Sequence, residues 1–560
     1  MSIKLITNDC FFNEHNLRNL ADDKEYAILV VDQVIFFKKE ENFFEKFSYT
    51  IELYKKSSNR YILDSLYSKS YRNTEKEVLL ANSILNKLEF KYGNVGVIDL
   101  ESQTIQYYSL IKKREDGTKS DLKLCNLLCK ESDNTNDGFR IKGVKELAIN
   151  AKIFLTNNIV YHKFYDLDSK YFPGVGIEYS VTDKYIECGY GRGYSFEEAT
   201  NIAMLEALER YASLYYTYEN KEIYGTYLEL PQAIHPSKFI LPSSSKNNYI
   251  LYTDNLSIYW TEAESLKNSE NVLIPEQLSV FGDSFFRDEE KQNRFIYDSS
   301  NGVALGASFE EACFYGLLEL IERDNFLTTW YGSIPVKEVD INSLGLKNTT
   351  LKIINTAQDE GWNIKVYDIS MEMGVPSFWS LITTSKETSN MFSYTAAGSN
   401  PDPSKAAETA LLEALVGITI HENKNTEVGT EAPSQVLKME DHVDYYSTSN
   451  HKEAFDFLKS SSITNLTENN YINRTALKPY LKELITKVLK EYEDIYIVNL
   501  TSKDMENLGI FVVKVVVPGM LPITFGMQNE RVSLDRINKE RGRRGLEKIE
   551  EVNVYPHPFP

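Results

Sequence analysis

The chain has 560 residues, 42% of them hydrophobic and 12% aromatic, which is room for roughly two to four domains with sizeable cores. Its formal charge of −20 argues against a general nucleic-acid binder or a partner of anionic membranes, and five cysteines are too few for a disulfide scaffold. No stretch approaches the ~18 apolar residues of a membrane span, and the N-terminus has no apolar signal region, so a cytoplasmic protein is expected.

Residues 1–135 read as a small α/β domain. Tyr26-Ala-Ile-Leu-Val-Val and Val34-Ile-Phe-Phe have the composition of buried strands, and residues 76–88 have helical periodicity. Asn94-Val-Gly-Val-Ile-Asp-Leu and Gln103-Thr-Ile-Gln-Tyr-Tyr predict a strand pair around Glu101-Ser. The region lacks a Gly-x-Gly-x-x-Gly fingerprint. Cys125-Asn-Leu-Leu-Cys129 is the one close cysteine pair. A zinc site needs about four ligands, and no His or Cys cluster nearby completes one. Polar residues 114–121 and 130–138 read as loop and linker.

Residues 140–560 form the main domain, predicted as α+β with a large mixed sheet. Its first marked stretch is Gly189-Tyr-Gly-Arg-Gly-Tyr-Ser195-Phe-Glu-Glu-Ala, which leads to Glu206-Ala-Leu-Glu209-Arg210. Ser308-Phe-Glu-Glu311 leads likewise to Glu319-Leu-Ile-Glu322-Arg323, and Asp402-Pro403 leads to Glu413. Ser195 and Ser308 are N-caps, with Glu198 and Glu311 as capping-box partners; Asp402 caps the third helix with Pro403 at its first position. Eleven positions separate each cap from its deep glutamate, about three helical turns, so both lie on one side of the helix. Glycines precede each cap, and such lead-ins let backbone N–H groups approach an anion closely. Glu206/Glu209 and Glu319/Glu322 stand at i, i+3, where like charges repel unless a cation sits between them. Hard oxygen ligands suit magnesium, so the repeated layout suggests phosphate plus magnesium. A solvated helix face with i, i+4 ion pairs, Glu206–Arg210 and Glu319–Arg323, is the other reading; the apolar neighbours and the repetition weigh against it.

Further on, residues around Ile364, Phe378, Ile495 and Phe511 read as strands and residues 477–492 as a helix. Residues 426–475 are polar and read as an insertion that covers a surface. The seven histidines are scattered, and neither a P-loop nor a Gly-x-Ser-x-Gly elbow is present.

Gly191-Arg-Gly-Tyr-Ser-Phe-Glu-Glu-Ala…Glu-Ala-Leu-Glu-Arg210 resembles the first nucleotide-binding helix of YcaO-domain proteins. Ser300-Asn-Gly-Val-Ala-Leu-Gly-Ala-Ser…Glu-Leu-Ile-Glu-Arg-Asp324 is similar to their second, and Ala397-Gly-Ser-Asn-Pro-Asp-Pro…Glu413 to their third. Val517-Pro-Gly-Met-Leu-Pro522, with Arg531 beyond, resembles the family's C-terminal core. The ending Pro556-His-Pro558-Phe-Pro560 resembles that of the azoline-forming branch, the cyclodehydratases of thiazole/oxazole-modified peptides. The cysteine pair and residues 1–135 resemble a worn adenylating-enzyme-like region found before some YcaO domains.

The resemblance implies an ATP- and Mg2+-dependent enzyme. A Cys, Ser or Thr side chain of a precursor peptide attacks the preceding carbonyl, ATP phosphorylates the resulting oxygen, and loss of phosphate leaves an azoline. By the same resemblance Glu206, Glu209, Glu319 and Glu322 hold magnesium. Glu413, Ser195, Arg192, Arg210 and Arg323 serve the nucleotide, with Arg210 and Arg323 also fitting structural pairs. Pro556, Pro558 and Pro560 carry a catalytic tail that reaches the site as a stiff extended strip. The implied partners are the precursor peptide, a leader-binding adenylating-enzyme-like protein, an FMN-dependent dehydrogenase that oxidises azolines, and a second copy in a homodimer. Three features depart from the family pattern, one being that the basic residue usual soon after the third helix's glutamate is first met at Lys424. Ile202 stands where a serine is usual, and Val416 where a glutamine is usual. Thioamide or amidine formation, and a non-catalytic scaffold that assists a second synthetase component, are the alternatives.

Overall fold

A computed structural model describes residues 4–6, 24–30, 33–39, 43, 46–47, 94–99, 104–109, 120–128, 139–182, 185–216, 222–242, 249–281, 293–297, 299–386, 389–423, 431–458, 463–466 and 476–559. The helix expected at 76–88, Cys129, the 130–138 linker and Pro560 lie outside these. The chain divides into two compact units.

The first unit comprises Met1–Gly117, Ala151–Lys163 and Ile177–Cys188. Its five-stranded sheet runs β1 (Lys4–Ile6), β2 (Glu25–Val30), β3 (Gln33–Lys38), β4 (Asn94–Asp99) and β5 (Thr104–Ser109) in spatial order. The first pair is parallel and the rest form an antiparallel meander. Tyr26, Ala27, Ile35, Phe36 and Phe37 are buried, and Phe37 stacks on Phe43 with centroids 4.3 Å apart. Both strands read from the first hydrophobic runs are present, as is the pair around Glu101.

The second unit comprises Thr118–Asn150, Phe164–Gly176 and Gly189–Pro560. The strands β6 (Tyr161–Asp166), β7 (Gly174–Thr182) and β8 (Tyr185–Arg192) make a three-stranded sheet whose residues are divided between the two units' segments. A six-stranded antiparallel sheet joins β9 (Ile223–Gly225), β10 (Ile258–Ser265), β11 (Glu270–Pro275), β12 (Val303–Gly306), β18 (Tyr496–Asn499) and β19 (Phe511–Val516) in the order β11-β10-β18-β19-β12, with β9 on β10. A second sheet has the order β16 (Ser393–Ser399), β15 (Ser377–Thr384), β14 (Trp362–Asp368), β13 (Lys337–Val339), β17 (Ile463–Thr464); only its last pair is parallel. The expected mixed α/β character is present, distributed over several sheets.

Three helices carry the acid motifs: α1 (Phe196–Leu214), α2 (Phe309–Tyr331) and α3 (Pro403–Asn423). An ordinary surface helix buries one stripe, but α2 is buried over almost its whole length, Glu310, Glu311, Asp324 and Asn325 included. Its first half packs with the helix Leu477–Glu491, whose Leu477, Leu481, Leu484 and Val488 form a single buried stripe, and with Val513 and Val515 of β19. Its second half joins Trp379, Leu381 and the chain's final residues. Residues 431–458 are not the surface covering that their polar composition suggested. Val436, Tyr445, Tyr446, Phe455 and Leu458 are buried in the same cluster, and His442 and Ser447 of the same segment are buried as well. Among the described residues no helix is long and apolar enough to cross a membrane.

Candidate active site

The acids sit on three copies of one strand–turn–helix unit: β8 into α1, β12 into α2, β16 into α3. In each copy the strand runs back along the helix that comes after it. Glycines make that crossing close. A Cβ on Gly191 would lie 1.9 Å from the Ala199 carbonyl oxygen, one on Gly306 2.6 Å from the Ala312 nitrogen, and one on Gly398 2.3 Å from the Ala406 carbonyl oxygen. The glycines were expected to admit an anion to the helix N-terminus. Instead, the space their missing side chains leave is filled by the helix's own backbone.

The caps form as expected in part. Ser195 accepts from the Glu198 N–H and Ser308 from the Glu311 N–H, both at 3.1 Å. Asp402 accepts from Ser404 N–H at 2.9 Å. The reciprocal half of each box closes one residue early. Glu198 takes the Tyr194 N–H at 2.8 Å. Glu311 is bonded by the backbone of Ala307, by the Ile141 N–H at 2.9 Å and by Arg140 at 3.0 Å. Ser195 is exposed and lies eleven residues from Glu206, about 16 Å along the helix. The structure does not bring it to the acids.

Strand amides fix the acids in a repeating pattern. Each unit's first acid takes an N–H from its own strand segment: Tyr190 donates to Glu206 at 2.8 Å and Gly302 to Glu319 at 3.3 Å. The second acid takes one from the next unit. Leu305 of β12 donates to Glu209 at 2.8 Å, and the backbone of Ser399, at the end of β16, bonds Glu322. The third helix has Val416 where a second acid would stand, and that valine is buried. Glu413, at the first acid position, pairs with Arg192 at the end of β8 at 2.8 Å. The relay therefore returns to the first unit.

The charges are crowded. Burial raises the Glu209 carboxyl well above the usual carboxylate range, and Glu319 and Glu206 push it further. Glu319 is raised by burial against the opposing pull of Arg323 and Lys514. Glu322 is raised to about 7 by burial, with Glu413 and Glu319 adding to it and Arg323 opposing. All five acids thus belong to one electrostatic group. The arginines neutralise part of it: Arg210 bonds Glu206 at 3.0 and 3.1 Å, and Arg323 Nη1 lies 3.3 Å from Glu322. Among the described residues, no three His, Cys, Asp or Glu side chains converge closely enough to cage an ion by themselves. That suits magnesium, which keeps several waters and is held by one or two carboxylates plus substrate phosphates. Mutually repelling, partly buried acids, each held on one side by an amide or guanidinium, fit such an ion.

The tail reaches this group. Pro556, His557, Pro558 and Phe559 are all buried. Prolines offer no N–H, so the tail is held by its carbonyls. Trp330 Nε1–H donates to Tyr555 at 3.1 Å, Tyr446 Oη–H to Pro556 at 2.6 Å and His442 Nδ1–H to His557 at 2.8 Å. His557 Nε2–H donates to the Thr524 carbonyl at 2.8 Å, and its ring stacks on His442 at 4.1 Å. Phe559 packs edge-on against Phe326 and under Arg323.

His442 and Tyr446 escaped the sequence reading. Their only signal is a spacing of four within a polar segment. A second missed group braces α2 one residue beyond Arg323. Asp324 accepts from Arg536 at 3.0 and 2.6 Å, from the Leu521 N–H at 2.8 Å and from Tyr492 at 3.1 Å. Arg531, read with the C-terminal core, is buried and donates to the Ile240 carbonyl at 2.6 Å.

The acid set suits a magnesium ion, and comparison with known proteins gives the family. The family described as YcaO cyclodehydratase, ATP- and Mg2+-binding, matches residues 190–521, more than half of the chain. The chain belongs to the YcaO family, and its cofactors are ATP and Mg2+. An uncharacterised protein of Methanothermobacter thermautotrophicus is 26% identical over 349 residues, which are 61% of this chain and 83% of that one. A solved structure described as a heterocyclase in complex with substrate and cofactor aligns with TM-score 0.71 at 16% identity, over 100% of this chain and 81% of that one. YcaO from Methanopyrus kandleri, bound with AMPPCP and Mg2+, aligns with TM-score 0.51 at 19% identity, over 70% of this chain and 95% of that one. At these identities the structural likenesses establish the fold.

Proposed function

We propose that the chain is an ATP-dependent cyclodehydratase component that converts Cys, Ser or Thr of a ribosomal precursor peptide to thiazoline or oxazoline, in maturation of a bacteriocin or toxin. The observation that carries this reading is the meeting of two features. Five partly buried acids from three repeated units gather into one electrostatic group, and Phe559 of the proline-alternating tail packs on Arg323 beside them. The heterocyclase likeness over the whole chain supports it.

In this reading Glu206, Glu209, Glu319 and Glu322 would hold magnesium, which shields the charge of the triphosphate. Glu413, Arg192, Arg210 and Arg323 orient the acids and the nucleotide. Ser195 acts only through the helix start. The peptide's side chain would lose its proton and add to the preceding carbonyl carbon; the carbonyl oxygen would take the γ-phosphoryl group with release of ADP, then leave as phosphate as the amide nitrogen loses its proton and the C=N bond forms. Positioning and charge neutralisation supply most of the rate, as in other phosphoryl transfers. Pro556, Pro558 and Pro560 are proposed to carry the catalytic tail, whose terminal carboxylate would orient or accept a proton. A separate leader-binding protein delivers the peptide, an FMN-dependent dehydrogenase oxidises the azolines, and the chain works as a homodimer in the cytoplasm.

The test is mass spectrometry of precursor treated with the full chain, its partner protein, ATP and Mg2+. Each ring should remove one water and release one phosphate. Glu206→Gln should stop both, and removal of Phe559 and Pro560 should slow ring formation strongly. Replacement of oxygen by sulfur in the product would instead mean thioamide formation. A second reading, a scaffold assisting another synthetase component, is favoured by Val416, which stands where a glutamine is usual. Undiminished cyclisation by the Glu206→Gln protein would move the conclusion to that reading.

A further inference from the structure

The chain's end brings an aromatic ring to the acid relay. The Arg323 guanidinium carbon lies 4.0 Å from the centre of the Phe559 ring, and Phe559 is 1% exposed. Arg323 is loosely tied to the acids it accompanies. Its Nη1 is 3.3 Å from Glu322 and its Nε 3.9 Å from Glu319, and neither nitrogen has a hydrogen-bond partner among the described residues. Both are nonetheless buried. The ring face is therefore what fixes the plane of the guanidinium. Phe559 in turn is placed from behind. Tyr446 and His442 grip the carbonyls of Pro556 and His557, and His442 is itself oriented because its Nε2 accepts the Gly526 N–H at 2.9 Å.

We infer that His442 and Tyr446 are positioning residues which, through Phe559, hold Arg323 in this half-paired pose, so that docking of the tail sets the affinity of the acid relay for magnesium nucleotide. The physical reason is competition. A guanidinium freed from the ring rotates into full ion pairs with Glu319 and Glu322, which lie within 4 Å of it, and those oxygens are then lost to a cation. Held against the ring, it offsets their charge while leaving oxygen lone pairs open. Because coupling between two binding events is reciprocal, magnesium nucleotide must tighten the tail by the factor by which the tail tightens magnesium nucleotide. The inference rests on the reading of the relay as the magnesium nucleotide site.

The experiment titrates Mg2+ into the full-length protein with a fluorescent non-hydrolysable ATP analogue, without peptide. Phe559→Leu, which keeps bulk but loses the ring face, should weaken Mg2+-dependent binding by about 3- to 30-fold, the range a buried cation–π contact supports. Phe559→Trp should bind as the native chain does. Tyr446→Phe and His442→Leu should fall between, with His442→Asn, which keeps a donor for His557, closer to native. In the native protein, hydrogen exchange of the non-proline amides between residues 553 and 559 should slow when Mg2+ and analogue are added, and this slowing should vanish in Phe559→Leu. Native affinity in Phe559→Leu and Tyr446→Phe alike, whatever their unfolding midpoints, would overturn the inference and reduce the tail contact to packing. A native chain that binds no analogue with Mg2+ would overturn the magnesium nucleotide reading itself, and the inference with it. Should Phe559→Leu fail to fold, Tyr446→Phe, which removes one hydroxyl, decides the outcome.

Discussion

Glu322→Gln should stabilise the metal-free protein while destroying its magnesium dependence. The carboxyl of Glu322 moves from its usual 4.5 to about 7 on folding, chiefly through burial and then through Glu413 and Glu319. The folded state therefore keeps a proton that the unfolded chain has released between those pH values. Stability falls as pH rises through that window, and above it the ionised acid is a standing cost. At ~1.4 kcal/mol for each tenfold change in proton affinity, that cost reaches about 3 kcal/mol near pH 8. Its side chain is 13% exposed, so solvent screens little of it. Glutamine can still accept from the Ser399 backbone but gives Arg323 a weaker partner, which returns about 1 kcal/mol. The net expectation is about 2 kcal/mol of added stability at pH 8 and none at pH 4.5. Denaturant unfolding of both proteins at the two pH values, in chelator, measures it. A Glu322→Gln protein less stable than native at pH 8, or a difference unchanged between pH 4.5 and 8, would refute the account of this acid as a buried charge awaiting a cation.

Two further outcomes are expected from the same geometry. Binding of Mg2+ with nucleotide should strengthen from pH 6 to pH 8 and release protons, because Glu209, Glu319 and Glu322 are all raised and must lose their protons to take a cation; calorimetry in buffers of different ionisation enthalpy counts them, and pH-independent binding would contradict it. Gly191→Ala should cost at least 1–3 kcal/mol and lower soluble yield, since its methyl would meet the Ala199 carbonyl at 1.9 Å; thermal unfolding checks it, and an unchanged midpoint would show that the strand and helix can separate at no cost.

The acids were legible because their chemistry is written locally. Glu206, Glu209, Glu319 and Glu322 stand at helical spacing among apolar residues, and a buried carboxylate pair needs explaining wherever it falls. The helix starts were legible for the same reason, since a cap is a matter of a few adjacent positions. The tail was legible only through resemblance: nothing local in Pro-x-Pro-x-Pro says that it will be buried, and its polar partners lie far away in sequence. Tyr446 is 110 residues and His442 115 residues from the carbonyls they hold. The segment that carries them is polar on average, so its composition pointed to a surface covering. What counts in a packed segment is the placement of its few apolar side chains, and composition averages that away.

The glycines show a different limit. Their positions before each helix were correctly marked, but two physical demands produce the same residue there. A backbone that must meet a phosphate and a strand that must lie directly on a helix both exclude a side chain. Sequence distinguishes them only through the residues of the adjoining helix. At each crossing the helix positions nearest the glycines include Ala199, Ala203 and Ala207, then Ala312, then Ala406 and Ala410. Small residues on both partners indicate backbone packed on backbone, whereas an anion site needs small residues on one partner alone. That close crossing lets the strand amides of Tyr190 and Gly302 reach three turns down the helix to Glu206 and Glu319. The glycines thus serve the acids indirectly, by bringing the donors that orient them. The third unit keeps its glycine at 398 and its acid at 413, has valine at 416, and closes the relay through Arg192 instead. An arginine supplied from the first unit pairs with Glu413, while burial raises Glu209, Glu319 and Glu322 of the first two units, so the cation should sit toward the first two units and the nucleotide's far end toward the third.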